Sequence, residues 1–157
     1  MDQYGVLMAG LNRGLATAAS ELEIAERGWQ HRGIVWLPSK MVCADEDIPA
    51  SWDVTSDSLA AWLAHTIGAK HLILVKSVPP SPTCNTFQSL MSEGVVDGCF
   101  AEFAAQRAFN TWVLGKGDHI LFEDGISVDR LAQTCMPIDQ TNTPEVLDEP
   151  ARYPAHL

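Results

Sequence analysis

The sequence predicts an α/β fold, a three-layer αβα sandwich built on a mainly parallel sheet, and three observations predict it. A helical stretch from about Thr55 to Gly68 runs almost directly into the apolar run His71-Leu-Ile-Leu-Val75, the pattern of a strand covered on both faces. Further short apolar runs at 34–37 and 111–114 alternate with helical periodicity and are bounded by Gly or Pro. With 157 residues, 46% of them hydrophobic, the chain can bury one core. A single α/β domain over residues 1–138 is therefore expected. Residues 139–157, rich in acids and prolines without apolar period, are expected to form an extended or disordered tail.

In chain order, Tyr4, Leu7, Met8, Leu11, Leu15, Ala18 and Leu22 fall at the three-and-four spacing of one helix face, so a long amphipathic helix is expected over 1–27. Gly10 and Gly14 weaken it by about 1 kcal/mol each relative to alanine and would mark close contact with a neighbour. Residues 34–37 read as a buried strand closed by Pro38, and Met41-Val-Cys43 as a second short piece. The run Asp45-Glu-Asp47 reads as a solvated loop.

Next, Thr55 or Ser56 can cap a helix whose first turn carries Asp57, where the positive end of the dipole favours an anion. Leu59, Trp62, Leu63 and Ile67 are its expected buried stripe, and Gly68 its left-handed terminator. After the strand ending at Lys76 comes a proline-rich loop at 79–86, expected to be mobile, then a short helix at 87–92 and a turn at Glu93-Gly-Val-Val-Asp97. Helix is expected over 100–108, strand over 111–114, a packed Ile120-Leu-Phe122, a helical turn near 128–132 and a last strand over 133–138. Gly115-Lys-Gly117 lacks the spacing of a phosphate loop and reads as a glycine turn.

Ten Lys and Arg against twenty Asp and Glu give a net charge of −10, which disfavours nucleic acid and anionic membrane surfaces. No basic stretch with an apolar core opens the chain and no apolar run approaches membrane-spanning length, so a cytoplasmic protein is expected. Cys43, Cys84, Cys99 and Cys135 include no C-x-x-C pair and read as reduced. Neither they nor the five histidines fall at metal-ligand spacing, so no metal site is expected.

The order Thr55-Ser-Asp-Ser-Leu-Ala-Ala, helix, Gly68-Ala, apolar strand, Lys76-Ser-Val78 resembles the nucleotide-side half of the amino acid kinase family, which contains acetylglutamate, aspartate and uridylate kinases. Trp36-Leu-Pro-Ser39, the run from Ile48 to Asp57, and Glu93-Gly-Val-Val-Asp97 are similar to an aspartokinase-like subgroup linked to methanofuran and one-carbon metabolism. The resemblance covers roughly residues 1–136 and is most specific at 48–78. It implies the C-terminal lobe of that fold, with ATP and Mg2+ as ligands. Asp57 and Lys76 are then the catalytic candidates, Thr55, Ser56, Lys76, Ser77, Val78 and Asp97 the nucleotide contacts, and Asp53 the contact to a phosphate acceptor of unknown identity. Without the resemblance, Asp57 reads as a first-turn helix acid and Lys76 as a solvated strand-end cation. The family's opening lysine strand and glycine-rich loops have no counterpart here, and neither does its second catalytic lysine. The resemblance thus implies a nucleotide-binding lobe that is incomplete as a kinase unless a separate N-terminal lobe is supplied. The alternative is a non-catalytic relic that acts as an oligomeric assembly or binding module, with the 1–27 helix as its dimerisation face. An apolar surface left by a missing half-sheet favours a homo-oligomer in either case.

Overall fold

The computed structural model describes residues 1–31, 33–78, 80–81, 84–105, 108–123, 125, 127–135 and 138. The proposed tail at 139–157 and parts of the proline-rich loop lie outside them. The chain divides into two compact units, Met1–Trp52 and Asp53–Leu157. Each is mixed α/β, and each contains a two-stranded parallel sheet.

The first unit runs α1 (Asp2–Gly10), β1 (Leu15–Ala18), α2 (Glu21–Gly28), β2 (Gly33–Trp36) and α3 (Ser39–Val42). The long helix expected over 1–27 is therefore two helices with a strand between them. Asn12 is the reason: its Oδ1 accepts from Gly14 N at 2.8 Å, a local bond that competes with helix continuation, and glycines on either side lower the cost of turning. Leu15 to Ala18 then pair in parallel with Gly33 to Trp36. Ser20 restarts the chain as helix by accepting from Glu23 N at 3.3 Å, while Glu23 Oε2 accepts from Ala19 N at 2.8 Å. Near the other end of α2, Arg27 donates to the Thr17 carbonyl and so ties the helix to β1. Residues 41–43, expected to be extended, instead belong to α3 and its C-terminal cap.

The second unit runs α4 (Ser56–Thr66), β3 (His71–Lys76), α5 (Phe87–Ser92), α6 (Phe100–Ala104), β4 (Asn110–Gly115), a 3-10 segment (Lys116–Phe122) and α7 (Val128–Thr134). Strands β3 and β4 pair in parallel from His71↔Asn110 to Lys76↔Gly115, so both end at one edge. Alternation sends Leu72, Leu74 and Val113 into a core with Ala61, Ala64, Phe87, Leu90, Phe100 and Ala104, in which the Phe87 and Phe100 rings meet edge-to-face at 5.4 Å. On the opposite face Trp112 and Leu114 pack with Leu131, Ile73 and Leu121. β3 is less covered than its apolar sequence suggests, for Val75 is 55% exposed.

Two helices of this unit end as their glycines dictate. Gly68 has φ +64°, with Gly68 N bonded to His65 O and Ala69 N to Ala64 O, the paired bonds of a Schellman cap. Gly94, φ +67°, closes α5 in the same way through Met91 O and Leu90 O. The buried face of α4 differs from the expected stripe, for it consists of Ser58, Leu59, Ala61 and Ala64, while Trp62 and Leu63 are half-buried and Ile67 is exposed. Small residues win because they let α4 approach β3 and α6 closely, where every atom finds a neighbour. Helix α6 is shorter than expected, since Ala105 is already extended at φ −62°, ψ 143°. Residues 133 and 134 belong to α7 rather than to a strand, although Ile138 N donates to Thr111 O on β4 at 3.1 Å. Ile120 and Phe122 lie on the surface, and only Leu121 of that trio packs inward.

Candidate functional site

The chain doubles back between α4 and β3, so the first turn of the helix returns to the C-terminal end of the strand. Asp57 and Lys76 meet there, with Lys76 Nζ 2.6 Å from Asp57 Oδ2. Their side chains are only 14% and 20% exposed, so the pair is better shielded than a surface salt bridge. An ammonium carries three N–H donors, and Asp57 takes one of them. Gly115 pairs in register with Lys76, which brings Lys116 and Gly117 to the same edge, and both are exposed. The Gly115 amide is itself held by Asp118 Oδ2 at 2.7 Å, fixing the turn out of β4.

Asp97 comes to the same helix end from the loop after α5. Its Oδ2 accepts from Thr55 N at 3.0 Å, Thr55 Oγ1 at 2.7 Å and Ser58 N at 3.1 Å. Its Oδ1 accepts from the Ser58 hydroxyl and from Cys99 N at 3.2 Å. Thr55 is the N-cap residue of α4, yet its own side chain accepts no capping bond. A carboxylate about forty residues away in sequence does that work, satisfying amides that helix geometry leaves unpaired. Burial acts on Asp97 most strongly and raises its pKa. Hydrogen bonds from the hydroxyls and amides of Ser58 and Thr55 together outweigh burial and hold the carboxyl below the ordinary aspartate value of 3.8.

The other candidates are distributed around this end. Ser56 is exposed at the first position of α4, and Ser77 and Val78 are exposed beyond β3. Asp53 is exposed in the turn before the helix. Burial first, then Glu102, Asp97 and Asp53, push the Cys99 thiol up, which keeps it protonated and unreactive at neutral pH. Beyond Val78, Ser81 donates through its hydroxyl at 2.6 Å and its amide at 3.3 Å to Glu93, and these bonds hold Glu93 below the ordinary glutamate value. That part of the loop is thus tied to the end of α5, and Cys84 within it is buried.

The structure thus brings together Thr55, Asp57, Lys76 and Asp97 and leaves Asp53, Ser56, Ser77 and Val78 as exposed neighbours in the chain. Sequence reasoning missed Ser58, fully buried at the heart of the cap, and Lys116, placed by strand register. A serine on the buried side of an apolar helix was the available signal for the first. For the second there was none, because register is not visible in one strand. Among the described residues no three His, Cys, Asp or Glu side chains are grouped to hold a metal ion, and no helix is long and apolar enough to cross a membrane. Compared with protein-family models and with curated proteins, the chain matches none.

Proposed function

We propose that the second unit is the ATP-binding lobe of an amino acid kinase-like phosphotransferase, with the nucleotide phosphates at the edge where β3 and β4 end. The observation that carries this reading is the Lys76–Asp57 bond, a shielded ammonium oriented by one carboxylate beside a helix N-terminus. Open α/β sheets take ligands outside the carboxyl ends of their strands, and phosphates favour the amide-rich start of a helix. Lys76 has donors to spare for a phosphate, and Lys116 adds a second cation at the same edge. Phosphoryl transfer depends on such positioning and positive charge. Magnesium arrives with the phosphates and keeps most of its water, so it needs no dedicated protein cage. In this reading Asp97 acts at one remove, holding the first turn of α4 and with it Asp57. The finer architecture, a three-layer αβα sandwich with a mainly parallel sheet, is part of the same proposal, supported by apolar packing on both faces of the β3–β4 pair. Thermal unfolding with and without MgATP, on the parent chain and on Lys76→Ala, tests it.

A further inference from the structure

The turn that leaves β4 carries Lys116, and side chains further along the same turn hold the backbone on either side of it. Gly115 N donates to Asp118 Oδ2 at 2.7 Å, and the Lys116 carbonyl lies 3.3 Å from His119 Nδ1. Each contact spans three residues, so together they close the run Gly115–His119 on itself. A lysine on an unrestrained loop loses much freedom when it is ordered on a ligand, and fixing its backbone beforehand removes part of that cost. The Gly115 end of the turn is in turn anchored to the sheet, because Gly115 is the register partner of Lys76.

The charge of Asp118 runs against this arrangement. A carboxylate two residues from Lys116 repels the phosphates that the lysine attracts. It is nevertheless half-buried rather than spread into solvent, and Cys135, the C-terminal cap of α7, lies within its field: burial first and Asp118 second push that thiol up. An acid kept there at an electrostatic cost points to its oxygen rather than its charge. We propose that Asp118 is a positioning residue for nucleotide binding: by holding the Gly115 amide, its side-chain oxygen sets Lys116 at the edge beside Lys76, ready for the phosphates. The inference rests on the nucleotide reading given above. Asparagine retains an acceptor oxygen at that place without the charge, whereas alanine removes both, so substitution separates the two effects.

Calorimetric titration of the full chain with MgATP tests this. Asp118→Ala should raise the dissociation constant about fivefold, the entropy of one long side chain no longer held in place. Asp118→Asn should bind at least as tightly as the parent chain. In a Lys116→Ala background, Asp118→Ala should add no further loss, because Asp118 acts through Lys116. Should Asp118→Ala not fold, Asp118→Leu, of nearly the same shape but without an acceptor, must show the same loss. Parent-like affinity in the chain lacking the acceptor overturns the proposal, and so does a further loss in the Lys116→Ala background. Asp118→Asn weakened as much as Asp118→Ala would make the charge the active feature, as for a magnesium ligand, and overturns it as well. A parent chain that does not bind MgATP overturns the nucleotide reading itself and this inference with it; the other failures leave that reading standing.

Discussion

Lys76 at the last residue of β3 donates to Asp57 in the first turn of α4 at 2.6 Å, and both side chains are largely shielded from water. A pair so placed costs more to break than to replace, since removing one partner strands the other's charge. Asp57→Asn and Lys76→Met should each destabilise the chain by about 2 kcal/mol, and the double variant should lose less than the sum. Urea unfolding of the four proteins provides the cycle. Additive losses would mean that the two side chains do not interact.

Asp97 should matter to stability more than a loop acid usually does. Asp97→Asn retains the shape but weakens bonds to both hydroxyls and amides, at a cost of about 1–2 kcal/mol at neutral pH. Because the folded-state pKa of Asp97 is lowered, its contribution is fully present above the ordinary value of 3.8 and is lost as pH falls through the lower folded value. The stability difference between parent and Asp97→Asn should therefore be constant from neutral pH down to about 5 and shrink below about 4. A difference that persists undiminished through the acid range would contradict the charge-assisted cap.

How much of this was legible in one sequence depends on how far apart the partners lie. α4, β3 and α5 could be read because helical period, the apolar strand run and the terminating glycine at 68 are local to each element. Asp57 and Lys76 were legible only as candidates at the two polar ends of one helix–strand unit, and their ion pair emerges from the way the strand runs back beside the helix. The Asp97 cap could not be read, because Thr55 supplied a local capping candidate and the true acceptor is 39 residues from Ser58. The segment 1–27 misled for a different reason. Leu15-Ala-Thr-Ala18 continues a helical apolar spacing by coincidence, and only pairing with β2 makes it a strand. Tyr4, Leu7, Met8 and Leu11, expected on one apolar face of that helix, are exposed, since close packing on the sheet favours Gly5 over larger residues.

Thr111 offers a prediction of opposite sign. It is fully buried in β4, and its hydroxyl has no hydrogen-bond partner among the described residues. Valine has nearly the same shape without the group that must be desolvated, so Thr111→Val should stabilise the chain by about 1 kcal/mol. A lower melting temperature for this variant would mean that the hydroxyl has an acceptor after all.

The glycines separate by conformation. Gly68→Ala forces a Cβ into the left-handed region at φ +64° and should cost about 1 kcal/mol. Gly10→Ala, at the end of α1 with nothing within 4 Å of the new methyl, should be neutral or stabilising by up to about 1 kcal/mol. Melting temperatures that move in the same direction for both would contradict the different roles given to them.

The central claim is that the edge formed by Lys76, Asp57 and Lys116 holds the phosphates of a nucleotide. The most direct measurement is thermal unfolding of the full chain in millimolar MgATP, alongside Lys76→Ala and Lys116→Ala, each compared with its own nucleotide-free control. A ligand at about ten times its dissociation constant adds roughly 1.4 kcal/mol, a rise of about 3 °C for a chain of this size. The account predicts that rise for the parent chain, none for Lys76→Ala and a reduced one for Lys116→Ala. An unchanged melting temperature for the parent chain, or an equal rise in all three proteins, would contradict it.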